Sequence, residues 1–113
     1  MAVQSDPVFG INFGWDLAAD GWKAGMDFNL QVIANMLNPL VVSKAVAAPP
    51  GAPLVHSKYI IPASGATGEW SSKANQIAIR FDGKWNYIAP VKGMRFMLDD
   101  TDTWTEFNGT AWT

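Results

Sequence analysis

The chain has 113 residues, a formal net charge of −2 and no cysteine, so it contains neither a disulfide framework nor a thiolate metal site and offers no basic surface for nucleic acid. No apolar run approaches the roughly 18 residues of a membrane span, and the start lacks a signal-peptide pattern, which predicts synthesis in a cytoplasm and no membrane insertion. Charged residues make up only 16% of the chain, against about a quarter in a typical domain, and we therefore expect another chain to cover part of its surface.

Residues 1–19 are predicted to form an extended N-terminal arm, because they combine glycines and single aromatics without a steady period. Four large apolar side chains of this arm would each gain about 1.5–3 kcal/mol on burial, so the arm is too apolar to remain in solvent. We interpret it as an anchor that packs on its own domain or on a neighbouring protein. The candidate anchoring residues are Phe9, Ile11, Phe13 and Trp15.

Residues 20–38 predict the one clear helix, with Asp20 as a candidate N-cap and Asn38-Pro39 as a stop signal. At about 100° per residue, its apolar side chains form two adjacent stripes that together cover an arc on the order of 200°, about twice what one core requires. The first stripe contains Trp22, Met26, Leu30, Ile33 and Leu37, and the second contains Phe28, Val32 and Met36. The remaining side carries Lys23, Asp27, Gln31, Asn35 and Asn38.

This wide apolar arc predicts that one stripe packs on the sheet of the same chain while the other meets another subunit. The predicted oligomer interface consists of Trp22, Met26, Phe28, Leu30, Val32, Ile33 and Met36. In the alternative interpretation, the arm at 1–19 folds back over the second stripe and acts as a lid.

After the helix, residues 39–57 are rich in proline and small residues, which predicts an extended, fairly stiff connector. Residues 58–113 change to short apolar segments separated by Gly, Asn and Asp turns, as expected of an antiparallel sheet. The segments are "KYIIP", "QIAIRF", "WNYIAPV", "MRFML", "WTEF" and "AWT". The predicted fold class is therefore α+β, with an arm and one amphipathic helix followed by a small antiparallel β-meander of about five or six strands.

Two stretches of this meander, "RFDGKWNYI" at 80–88 and "EFNGTAWT" at 106–113, share a rhythm of aromatic, glycine and tryptophan. Asp-Gly and Asn-Gly provide the positive φ angles that tight hairpin turns need. We expect each tryptophan to lie close to the aromatic before its turn, Trp85 to Phe81 and Trp112 to Phe107, an arrangement that contributes roughly 0.2–1 kcal/mol per pair.

Polar residues of the connector and the hairpin loops do not predict a catalytic or metal site. His56 and Ser57 are adjacent on an extended segment and should face opposite sides, so they do not form a nucleophile and base, and His56 is interpreted as a surface or interface residue. Asp99, Asp100 and Asp102 carry oxygen ligands suited to calcium, but their loop lacks the other ligands of a calcium-binding loop and is interpreted as a solvated hairpin tip.

Other candidate sites are equally incomplete. Glu69 and Glu106 sit in no motif typical of a glycosidase, and "GATGEW" lacks the Lys-Ser/Thr step of a phosphate loop. The sequence therefore predicts no enzyme, cofactor or metal. Exposed tryptophans can stack on sugar rings, and the candidate glycan contacts are Trp70, Trp85, Trp104 and Trp112, with core or interface packing as the competing interpretation.

The order of several motifs between Gly21 and Thr113 resembles that of a small domain family of unassigned function. The matching stretches are "NLQVIANMLNPLVV", "AAPPGAP", "YIIPASGATGEW", "QIAIRFDGKWNYIAPVKG" and "FNGTAW". Domains of this family occur in structural proteins of bacteriophages, prophages and gene-transfer agents, often beside tail-fibre or spike segments. In such domains an aspartate often follows the leucines of the helix, where this chain has Asn38-Pro39.

The resemblance implies a virion setting and assigns no catalytic residue. Together with the helix it predicts a non-enzymatic phage structural protein, a homotrimeric fibre, fibre base or adaptor on the tail or head, made in the host bacterial cytoplasm. The expected partners are further copies of the chain and other virion proteins, such as a tail, portal or capsid socket or a fibre or spike, and the arm would provide the virion anchor. The alternative is a receptor- or glycan-binding module that uses the hairpin tryptophans.

Overall fold

The computed structural model describes residues 3–16 and 20–113 and divides into two units, 1–38 and 39–113. Its described residues form one α-helix, one short 3-10 turn and eight short strands in three small, mostly antiparallel sheets. This confirms the predicted α+β class.

The first unit consists of a strand pair and the helix. Strands β1 (Gln4–Ser5) and β2 (Asn12–Phe13) pair antiparallel, so the predicted arm contains a small hairpin. Helix α1 (Trp22–Leu37) begins two residues later than expected, and the prediction of Asp20 as N-cap is wrong. Gly21 holds the cap position with φ 78°, a left-handed conformation that glycine adopts without steric penalty. Asn38 is extended before Pro39, which ends the helix as predicted.

Helix α1 buries asparagines and exposes large apolar side chains. Asn29, Val32 and Asn35 are its buried residues. Asn29 is held by β2, since its side chain accepts from the Asn12 backbone N–H and donates to the Asn12 carbonyl, both at 2.7 Å. Asn35, assigned above to the polar side, donates to the Gln31 carbonyl at 2.7 Å within the helix. Tertiary hydrogen bonds thus hold Asn29 inward, while Trp22, Leu30 and Leu37 of the same helix remain exposed.

In the second unit, β4 (Lys58–Ile60), β5 (Ile77–Phe81) and β6 (Lys84–Ile88) form an antiparallel meander. The β5–β6 turn is Asp82-Gly83 as predicted, and both residues have positive φ, as a tight two-residue hairpin requires. Both faces of β5 are covered, because Ala78 is buried as completely as Ile77 and Ile79 on the opposite face.

A second sheet interrupts the single predicted meander. Strands β7 (Arg95–Leu98) and β8 (Thr103–Glu106) pair antiparallel, while β3 (Leu40–Val41) joins β7 in parallel. The start of the predicted connector is therefore a strand. The two residues that follow it, Val42 and Ser43, hydrogen-bond to β4 of the other sheet. The Val42 N–H donates to the Lys58 carbonyl at 2.7 Å, and the Ile60 N–H donates to the Ser43 carbonyl at 3.1 Å. Residues 40–43 thereby link β7 to β4.

The core beside the first sheet is built from tryptophan. The 3-10 turn Gly68–Trp70 places Trp70 in a buried cluster with Ile61, Ala78 and Trp85. The Trp70 and Trp85 ring centroids are 5.2 Å apart, and the rings are nearly perpendicular. The predicted pairing of Phe81 with Trp85 is wrong, because Trp85 pairs across the hairpin with Arg80 and Phe81 therefore points to the other face.

The second predicted aromatic pair is confirmed. Phe107 and Trp112 form an isolated bridge with ring centroids 5.2 Å apart. Their turn is stabilised by the Asn108 side chain, whose Oδ1 accepts from the N–H groups of Thr110 and Ala111, each at 2.9 Å. The Asn-Gly stretch therefore acts as a turn-forming element, as its sequence suggests.

Candidate functional site

The first stripe of α1 forms an exposed apolar strip, which we call the helix strip and define as Trp22, Met26, Leu30, Ile33 and Leu37. Within the described chain, 52% of Trp22, 57% of Leu30, 44% of Ile33 and 78% of Leu37 remain accessible, and Met26 is half-buried. Such a contiguous apolar surface is typical of an interaction site. Of the other predicted interface residues, Val32 is buried within the chain and does not reach this surface, while Phe28 and Met36 are half-buried.

A small apolar cavity of about 310 Å³ adjoins the helix strip within the first unit. Phe9 and Ile11 of the arm form one side of it, and Val32, Ile33, Met36 and Leu37 of the helix form the other. The arm thus lies against part of the second stripe, as in the alternative interpretation, but it leaves most of the first stripe open.

The predicted anchoring residues of the arm differ in their surroundings. Phe9 and Ile11 line this cavity, and the Trp15 ring lies so close to Gly25 that a Cβ there would be only 2.7 Å from it. Phe13 alone of the four is well exposed. Three of the four candidate anchors are therefore engaged by their own helix.

The loop between β1 and β2 is organised by one carboxylate. Asp6 Oδ1 accepts from the N–H groups of Val8 and Phe9 at 2.8 and 3.0 Å, and Oδ2 accepts from the Ile11 N–H at 2.7 Å. These backbone donors favour the charged form and lower the pKa of Asp6 below its ordinary value. Sequence reasoning did not single out Asp6, although an Asp-Pro step four residues before a glycine is a recognisable loop signal.

The lowered pKa of Asp6 predicts an acid-sensitive arm. Its stabilising contribution is present above the pKa of an unfolded aspartate, about 3.9, and is lost as the pH falls through the lower folded value. We expect hydrogen exchange at the Phe9 and Ile11 amides to accelerate over that range and, in an Asp6→Ala variant, at neutral pH as well. Amides of β5 serve as the internal control, and unchanged exchange at Ile11 in the variant would contradict the prediction.

The four tryptophans that are candidate glycan contacts differ in how much of each side chain is exposed. Trp70 is fully buried and Trp85 is 6% exposed, so neither can stack on a sugar ring. Trp104 on β8 is 50% exposed and lies under the Arg95 guanidinium, 5.0 Å from the ring centroid. Trp112 is half-buried, and its indole N–H donates to the Asn75 carbonyl at 2.8 Å.

Trp112 borders an open pocket of about 300 Å³ in the second unit, here called the Trp112 pocket. Its floor is mostly apolar, and its polar lining residues are Lys44 and Asn75. The complete lining consists of Lys44, Ala45, Ile60, Ile61, Pro62, Ala63, Asn75, Ala111 and Trp112. Lys44 and Asn75 carry no local sequence signal, because four separate segments assemble this pocket.

Residues tested above for chemistry have structural partners. Ser57 Oγ donates to the Leu54 carbonyl at 2.7 Å, inside the turn that contains His56. Glu69 accepts a hydrogen bond from the Tyr87 hydroxyl, and burial together with this carboxylate raises the pKa of Tyr87. Glu106 lies opposite Arg95 in the β7–β8 register, and its backbone carbonyl accepts from the Thr113 N–H at 2.8 Å. Among residues 3–16 and 20–113, no group of three or more His, Asp or Glu side chains is placed to hold a metal ion.

None of the helices within the described ranges is long and apolar enough to cross a membrane.

Comparison with known proteins gives a family but no activity. No curated protein matches the chain. The profile of the family described as DUF2793, protein of unknown function, matches residues 27–113, a range that contains most of α1 and the entire second unit. Because this match covers well over half of its length, the chain belongs to the DUF2793 family.

Proposed function

We propose that this protein is a non-enzymatic structural component of a phage virion that assembles through the helix strip into a homotrimer, serving as a fibre, fibre base or adaptor. The observation that carries the proposal is the exposure of Trp22, Leu30 and Leu37 on a helix that buries asparagines instead. Fully burying each such side chain contributes about 1.5–3 kcal/mol, which is a strong drive for association.

The spacing of the helix strip favours more than two subunits. Leu30 and Leu37 are one heptad apart, and so are Met26 and Ile33, so the four residues alternate at spacings of four, three and four. With Leu30 taken as position a, Ile33 is position d, a combination that shifts parallel bundles from dimers toward trimers and tetramers. The strip covers only about two heptads, so the bundle is short and would depend on neighbouring contacts for stability.

Charge on the helix favours a second copy over a lipid surface. An amphipathic helix that lies on a membrane usually carries several lysines or arginines on its polar face. Helix α1 has a single basic residue, Lys23, whose ammonium is 2.6 Å from the Asp27 carboxylate. An uncharged strip of this kind is self-complementary, as a symmetric interface requires.

The virion setting is supported by the motif order between Gly21 and Thr113, which resembles domains of phage and gene-transfer-agent structural proteins. In this proposal, Phe13 is the part of the arm that remains available to a socket on the head or tail, since the other three anchors contact the helix.

Two measurements test the proposal. Light scattering coupled to size-exclusion chromatography should give a mass near three times 12.3 kDa at micromolar concentration, and a clean monomer would contradict assembly through the helix strip. Immunogold labelling of purified particles should place the protein at the tail or head. If the producing cells express the protein but the purified particles carry no label, the virion role is contradicted.

A further inference from the structure

We infer that the Trp112 pocket binds an acidic sugar unit of a surface polysaccharide, with Trp112 contacting the ring and Lys44 binding its carboxylate. This site lies entirely in the second unit and does not depend on assembly through the helix strip.

The charge of the pocket points to an anionic ligand. Lys44 is half-buried beside an apolar floor, and its ammonium donates to the Thr105 hydroxyl at 3.2 Å. It has no carboxylate partner among residues 3–16 and 20–113. An ammonium that donates to a single neutral hydroxyl keeps two donors for a ligand, and hydrogen bonds to charged groups contribute more than neutral ones.

The remaining lining suits a ring with hydroxyl groups. Trp112 is held in place because its indole N–H is used by the Asn75 carbonyl and because its ring packs against Phe107 and Phe96, with centroids 5.2 and 5.8 Å away. Such an immobilised aromatic loses little conformational entropy on binding. Asn75 adds an amide residue to the same wall, and a volume of about 300 Å³ accommodates one ring-sized group.

The backbone around the pocket disfavours an extended peptide as the ligand. A peptide that adds a strand needs free main-chain donors and acceptors. Here the Ile60 and Ile61 N–H groups donate to the carbonyls of Ser43 and Gln76, and the next residue, Pro62, has no N–H. The main chain of residues 60–62 therefore offers no free N–H donor to a ligand, which favours recognition by side chains and a compact ring bearing a carboxylate.

Titration of the ¹⁵N-labelled protein tests this inference, with galacturonic acid oligomers as the probe and galactose oligomers as the matched neutral probe. We expect the Trp112 indole signal to shift with the acidic probe and the neutral probe to bind at least about tenfold more weakly, since one charged hydrogen bond is lost. Lys44→Gln should weaken binding of the acidic probe by about tenfold and leave the neutral probe unaffected.

Two further variants separate the pocket from general electrostatics. Lys84→Gln removes an equivalent charge at the exposed β5–β6 hairpin and should not change binding. Asn75→Asp keeps a residue that tolerates the φ of 68° at this position but adds a negative charge, and it should weaken binding of the acidic probe. The inference is overturned if neither probe moves the Trp112 signal, if Lys44→Gln and Lys84→Gln act alike, or if an acidic peptide binds while galacturonic acid oligomers do not.

Discussion

Replacing Leu37 by glutamate is expected to convert the assembled protein into a monomer. Leu37 is the most exposed member of the helix strip, at 78%, so the glutamate is solvated in the monomer and becomes unfavourable only in an assembly. The lost apolar burial is about 1.5–3 kcal/mol per copy, and a three-copy assembly is destabilised by roughly 4.5–9 kcal/mol. Sedimentation velocity at micromolar concentration measures the change, while circular dichroism verifies that the helix is retained.

Leu54 provides a matched control for this substitution. It is also a leucine that is 78% exposed, but it lies in the connector of the second unit. Leu54→Glu should leave the assembly intact, and Leu30→Glu, near the middle of the strip, should dissociate it as Leu37→Glu does. Equal masses for the Leu37 and Leu54 variants would exclude the helix strip as the interface.

Replacing Trp70 by alanine is expected to unfold the second unit or bring it close to unfolding. Deleting a buried tryptophan costs about 3–5 kcal/mol, whereas a unit of this size is stabilised by roughly 4–11 kcal/mol at the usual value per residue. Trp70 is fully buried and contacts both Tyr59 and Trp85, with centroids 5.5 and 5.2 Å away. Urea denaturation followed by far-UV circular dichroism measures the loss.

Two comparisons identify the cause of that loss. Trp104→Ala removes the same side chain from an exposed site and should cost about 1 kcal/mol or less, including its contact with Arg95. Trp70→Phe should cost less than Trp70→Ala, because it keeps much of the ring and also removes an indole N–H that is buried without a hydrogen-bond partner in the described structure. If Trp70→Ala and Trp104→Ala were equally stable, the tryptophan cluster would not be the core of this unit.

Several elements followed directly from local sequence. Asn38-Pro39 ends the helix because proline disfavours a helical conformation in the residue before it. Asp82-Gly83 forms the β5–β6 turn because these two residues accept positive φ. The change from helical to strand periodicity separates α1 from the sheets of the second unit, and this was sufficient for the α+β class.

The hydrogen bonding of the connector to the two sheets was not predictable from local sequence. Residues 40–43 read as part of a Pro-rich spacer, but they hydrogen-bond to β7 on one side and to β4 on the other. Pairing with strands far along the chain depends on the whole fold, and two apolar residues before a proline-rich segment carry no signal for it. A single meander is what local sequence predicts for residues 58–113, whereas the second unit builds two sheets.

By itself, the sequence determined the class of fold, the C-terminal end of the helix and the hairpin turns, because restricted φ angles and hydrophobic periodicity act over a few residues. Only the tertiary structure decided which helix face is exposed and which tryptophans are buried, and only it assembled the Trp112 pocket. Asn29 is turned inward by a partner 17 residues away, and the pocket depends on contacts between residues 37 and 61 positions apart. Contacts at such separations form only when the chain has folded, so local patterns do not encode them.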